Sequence, residues 1–180
     1  MTPREIEEFS ALRATIRERG SLRVWLFVAG LAAWAAATIA TAALAALPVA
    51  TLLPLLLLAA SFEAILHVHV GVERVGRYLQ VFYQQAEGAA DERDWERTIM
   101  AFGKLHHSGS DPLFSIFFAL ATALNFVPVI TAEPVMLELT VVGGIHLLFL
   151  VRVFVGRRVA SHQRAKDLEL FQRIKQEGAR

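Results

Sequence analysis

Glu63 and His67 stand four residues apart, which on a helix sets a carboxyl and an imidazole on one face within hydrogen-bonding reach. His69 and Glu73 repeat that spacing on a second face, nearer the next run of charges. Farther along, Glu138 and His146 interrupt another apolar stretch. A carboxylate beside an imidazole can relay a proton, hold a cation or bind a metal, and ionisable groups inside apolar spans mark such functions. One reading makes Glu63, His67, His146 and Glu138 the lining of a proton or ion path. Another uses His67 and His146 as axial ligands of a b-type haem. Glu63, His67 and His146 could also give a divalent metal three N/O ligands, although no fourth is evident. The plainer alternative is a buried Glu63–His67 pair that fixes helix packing. No motif calls for a cofactor, so none is expected; haem b and a divalent metal are the two that these residues could hold.

The elements that must position these groups are apolar helices. Hydrophobic residues make up 55% of the 180, a share that soluble domains approach, so their distribution decides the class. Residues 24–47 and 49–62 carry no charge, and two further apolar runs cover 113–130 and 135–151. A span needs roughly 20 apolar residues. The sequence therefore predicts an all-α membrane protein with four transmembrane helices. The first run exceeds the roughly 7–15 residues of a signal-peptide core and follows a polar, helix-forming segment, so a retained span is expected rather than a cleaved leader. The absence of cysteine removes disulfides and thiolate metal sites.

Basic residues orient the spans. All eighteen Lys and Arg fall in three segments, five in 1–23, five in 74–104 and eight in 152–180, and none in the connections around 47–54 and 128–134. Positive charges near span ends stay cytoplasmic. Both termini and the central segment are thus expected in the cytoplasm, in a multi-pass protein of the bacterial inner (plasma) membrane type.

Aligning the two halves at an offset of 80 gives eleven identities in the forty positions of 41–80 against 121–160. They include Pro48, Val49, Thr51 and Pro54 against Pro128, Val129, Thr131 and Pro134, and the triplet of Val75, Gly76 and Arg77 against Val155, Gly156 and Arg157. This predicts two tandem helical hairpins related as a parallel repeat. In that register His146 falls beside the position of His67, at matching depth, and Glu63 lies about 14 Å below Pro54, close to mid-bilayer.

The expected organisation is a cytoplasmic amphipathic helix over 1–22, a first hairpin with a cytoplasmic stalk over 23–86, a linker over 87–111 and a second hairpin over 112–158. A cytoplasmic helix over 159–180 completes it. Thr2, Pro3 and Glu5 offer a capping box at the start, and Ile6, Phe9, Leu12 and Ile16 trace one apolar stripe. The second and fourth helices should run from about 54 to 86 and from about 134 to 176, far longer than a bilayer core. The linker should hold a turn at 88–91, a short helix at 95–105 and a loop containing His106 and His107. Ala29, Ala33, Ala37, Thr41 and Ala45 recur every fourth residue, a spacing that lets membrane helices approach closely.

Arg74, Arg77, Arg152, Arg157 and Arg158 form a basic ring at the inner surface. Such a ring anchors helices among anionic lipid heads, or lines the mouth of a pore. Leu168, Phe171 and Ile174 lie about one turn apart and suit packing on another helix. No phosphate loop, dinucleotide fingerprint, nucleophile elbow or zinc pattern appears, which speaks against an enzyme. The basic residues follow the membrane face and are balanced by acids, so nucleic acid is not an expected partner. The expected partners are the lipid bilayer and either further copies of the chain or a membrane complex. The leading functional expectation is a small oligomeric channel- or transporter-like protein; the alternatives are a non-enzymatic accessory or scaffold subunit and a b-type haem or metal-binding membrane protein.

Overall fold

The computed structural model describes residues 2–42, 47–83 and 112–178, and among them every regular element is helical. Helix α1 covers Pro3–Ala42. Its start is the expected capping box: the Thr2 N–H bonds Glu5 Oε2 at 2.6 Å and the Glu5 N–H bonds Thr2 Oγ1 at 3.3 Å. With no proline between Pro3 and Pro48, the helix passes residue 22 unbroken, and the amphipathic segment and the first apolar run are one rod.

A short 3-10 turn, Pro48–Thr51, leads into α2, Leu52–Phe82. Pro54 sits in the first turn of α2, where a missing N–H removes no intrahelical bond. Helix α3 covers Pro112–Thr131 and continues through Pro128. The chain then reverses at 132–135, with Glu133 in the left-handed region at φ 49°, before α4, Met136–Gly178. The long second and fourth helices thus end within a few residues of their expected limits. Ala45, the turn at 88–91, the helix at 95–105, the His106–His107 loop and Asp111 lie outside the described residues.

Four of the helices are long and apolar enough to cross a membrane. α1 lies antiparallel along α2. Gly30 meets Ser61 so closely that a Cβ on it would stand 2.6 Å from the Ser61 Cβ; Arg23 reaches His69, Glu8 reaches Tyr78, and Phe9 packs on Tyr83 at 5.6 Å. Yet no α1 residue is fully buried, so α1 is a peripheral helix. The core lies between α2, α3 and α4, where Leu55, Leu58, Phe62, Ile65, Phe118, Phe149 and Val153 are buried together. Phe62 is its hub, with the rings of Phe118 at 5.4 Å and Phe149 at 6.0 Å, both edge-on, a preferred aromatic geometry.

α4 runs parallel to α2 far beyond this core. Tyr78 packs on Phe171 at 5.7 Å, and Lys175 Nζ donates to the Val81 carbonyl at 2.7 Å. Of the apolar tail positions, Phe171 thus finds its partner within the same chain, on the end of α2 in a two-helix stalk, while Ile174 is exposed.

Candidate functional site

Contacts between helices fix which residues share a level. Glu63 is level with Arg152 and Glu73 with Arg164, 89 and 91 residues apart. Arg74 is level with Asp167, 93 apart. Phe114 and Phe118 are level with Phe62, and Asn125 reaches Thr51. On this scale the charge-free stretches of all four helices end together on one side, at Val24, Phe62, Phe114 and Val151, within about 8 Å along the helix axes. On the other side α1 and α3 end, and α2 and α4 begin, near the level of Leu47. The apolar band between is about 24 Å thick at 1.5 Å per residue.

Glu63 therefore stands at the stalk-side edge of the band, not at its middle. The expected depth was counted from Pro54, whereas the band begins farther out. Its partner is not His67. Arg152 Nη2 donates to Glu63 Oε2 at 2.7 Å, with side chains 44% and 48% exposed for Arg152 and Glu63 respectively. The guanidinium also lies 5.9 Å from the Phe62 ring centre. His67, one turn on, is exposed.

His146 is placed elsewhere again. A Cβ on Gly156 would lie 3.1 Å from Leu66 Cδ2, so Gly156 shares the level of His67's neighbour, and His146 lies about 15 Å farther out. The structure thus does not bring Glu63, His67 and His146 together. Among the described residues no three His, Asp or Glu side chains form a metal-ligand group. Glu138 lies farther out still, where Oε2 accepts the Val135 N–H at 3.3 Å and caps the first turn of α4.

What His146 does join is a buried network that the sequence reading missed. His146 is 3% exposed. Its Nδ1 lies 2.8 Å from the Val142 carbonyl, which can only accept, so Nδ1 carries the hydrogen and Nε2 is the acceptor. Asn125 Nδ2 meets that need at 3.0 Å and also donates to the Thr51 carbonyl at 2.9 Å. The Asn125 carbonyl oxygen accepts from Trp34 Nε1 at 3.4 Å. One amide on α3 therefore ties α1, the Pro48–Thr51 turn and α4. The available signal was Asn125 itself, an amide inside an apolar span, where hydrogen bonding across helices is the usual outcome. Beside it a cleft of about 230 Å³ is lined by Thr38, Thr41, Thr51, Pro54, Asn125 and Thr131, among others.

A second polar cluster lies past the stalk-side edge of the band. Glu73, 18% exposed, accepts from Arg164 of α4 with both oxygens. It also has Arg77 at 3.5 Å and His69 Nε2 at 3.6 Å. Arg74 pairs at 3.2 Å with buried Asp167, which also accepts from Gln163 at 3.0 Å. The basic ring thus divides: Arg74, Arg77 and Arg152 hold α2 and α4 carboxylates, Arg157 is half-buried, and Arg158 is exposed.

Among the described residues no buried side-chain nitrogen or oxygen lacks a partner. Compared with protein-family models, with curated proteins and with solved structures, the chain matches none.

Proposed function

We propose that this protein is a multi-pass membrane protein whose bundle is a non-enzymatic support, carrying a cytoplasmic helical stalk as part of a larger assembly. One observation carries the reading. The apolar band has a closed interior, filled by phenylalanines and by an Asn125–His146 network in which every polar atom is bonded, while the stalk beyond it is long and ion-paired. A band of about 24 Å suits a hydrocarbon core of roughly 30 Å once flanking side chains snorkel to its edges. Trp25, 71% exposed beside Arg23 at the inner edge, matches the aromatic belt of membrane proteins. With the basic residues inside, both termini and the stalk face the cytoplasm, and the bends near 47 and 133 face out. Reporter fusions at Thr51 and Thr131 should behave as external, and one after Gly178 as internal.

The channel- or transporter-like reading calls for several copies together, because the described core between α2, α3 and α4 is filled by packed side chains. Its supporting observation is the Glu63–Arg152 pair, whose half-exposed charges lie on the bundle exterior, where a neighbouring copy could complete a polar path. Ala33, exposed, and Ala37, half-buried, are where α1 could meet that copy. Ala33→Leu with Ala37→Leu should then reduce the sedimenting mass in detergent.

Proton and cation flux into vesicles carrying the purified protein separates the two readings. No flux above empty vesicles supports the scaffold. Flux abolished by Glu63→Gln, with the helical circular dichroism unchanged, establishes the path between copies. An absorbance spectrum of the same sample tests haem, and a Soret band lost in His67→Ala would overturn both readings.

A further inference from the structure

Five ionisable side chains from three helices meet around His69, about 9 Å past Glu63 on the stalk side. From α1, Arg23 Nη1 lies 3.1 Å from His69 Nδ1. From α2 come Glu73, 3.6 Å from His69 Nε2, and Arg77, which pairs with Glu73 at 3.5 Å. From α4, Arg164 holds Glu73 from the far side. A guanidinium has donors only, so its bond to Nδ1 exists only while that nitrogen is unprotonated. The Nε2–H of the same tautomer already points toward Glu73.

Below Arg23, α1 is held to the stalk by the Tyr78–Glu8 bond at 3.0 Å, the Phe9–Tyr83 ring contact and the half-buried Leu12 and Ile16, and Arg19 lies against α2 at Gly71. No α1 residue is fully buried. To these the Arg23–His69 bond adds a fastening that depends on an imidazole.

We propose that His69 is a proton-operated latch: neutral, it fastens the first twenty or so residues to the stalk, and protonated, it turns to Glu73 and releases them. A proton on Nδ1 converts the acceptor into a donor and sets imidazolium against guanidinium at about 3 Å, a repulsion relieved only if Arg23 leaves. That proton also strengthens the Nε2–H attraction to Glu73, in competition with Arg164 and Arg77. Burial holds the imidazole below its ordinary range; Glu73 opposes this, and Arg23, Arg164 and Arg77 add to it. A folded-state value below the unfolded one, about 6.5, means that the latch is fully closed above that pH. It opens as pH falls through the lower folded value.

The chain has no cysteine, so labels at Ser10→Cys on α1 and Gln172→Cys on α4 report their separation in the full-length protein by pulsed electron resonance. A single short distance is expected at neutral pH, with longer, broader distances taking over as the pH is lowered below the ordinary imidazole value of about 6.5. His69→Gln offers Arg23 an acceptor that does not titrate and should keep the short distance throughout. Arg23→Gln should show the long distances at neutral pH, whereas His67→Gln and His162→Gln should respond as the parent does. A parent whose distances do not change with pH overturns the latch. So does a pH response that persists in His69→Gln.

Discussion

The two halves carry the same proline motif at different places along their helix pairs. In the first half Pro48 through Pro54 open the helix that follows α1. In the second half α3 carries the matching Pro128 through Thr131 up to the bend at 132–135, and Pro134 falls within that bend. The turn has moved about ten residues along the aligned sequence. Two segments that align without a gap can therefore fold with different registers, because an apolar helix near its end tolerates a proline that elsewhere would stop it.

The shift explains how the halves are joined. Asn125 aligns with Ala45, His146 with Leu66, and Arg152 with Val72. Asn125 and Arg152, which bond Thr51 and Glu63 across the halves, are thus residues that their aligned counterparts lack, and His146 serves by holding Asn125. The aligned apolar residues fill the band; the differences select the partner.

Breaking the largest of these differences should cost most. Asn125→Leu strips three hydrogen bonds and leaves His146 Nε2 buried without a donor, so the folded state should lose about 2–3 kcal/mol, read as a lower midpoint in detergent-mixture unfolding. A loss as small as that of a surface substitution would show that the network does not join the halves.

The paired glycines of the repeated triplet give a sharper test. A Cβ at Gly156 would lie 3.1 Å from both Phe62 Cζ and Leu66 Cδ2, whereas one at Gly76 meets nothing within 4 Å. Gly156→Ala should destabilise by about 1–2 kcal/mol through overpacking. Gly76→Ala should stabilise by up to about 1 kcal/mol, the ordinary helix preference for alanine. Equal effects would restore equivalence between the halves and refute the shifted register.

The smallest effect should come from the pair that first drew notice. With both side chains about half exposed, Glu63→Gln should cost under about 1 kcal/mol. The coupling to Arg152→Gln in a double-mutant cycle should be of the same size, and that to His67→Gln near zero. Strong coupling to His67 would reinstate the pairing expected from spacing.

The sequence made the helices legible, including the capping box at Thr2 and the long stalk, because apolar runs, caps and helix breakers are local signals. Level and partner are not local. One proline gives Glu63 a depth from the sequence, but the band is bounded by four helices at once, and only contacts such as those of Arg152, Phe114 and Arg23 locate its stalk-side edge. His146 was assigned a depth from the alignment, and the moved turn displaced it. The Glu63–His67 spacing is correct for a helix, yet the Arg152 guanidinium on α4 reaches Glu63 at 2.7 Å.

The Lys175–Val81 bond has a consequence for the far end of the stalk. Peptide dipoles in α1 and α2 oppose one another, as in any antiparallel pair, but those of α2 and α4 point the same way and their fields add. Two helix ends, each equivalent to about half a negative charge, therefore lie toward the same side. The Lys175 ammonium bonds one of the terminal carbonyls of α2 directly. A parallel stalk needs cations at this end, and a change of Lys175 to an acid would set three negative centres side by side.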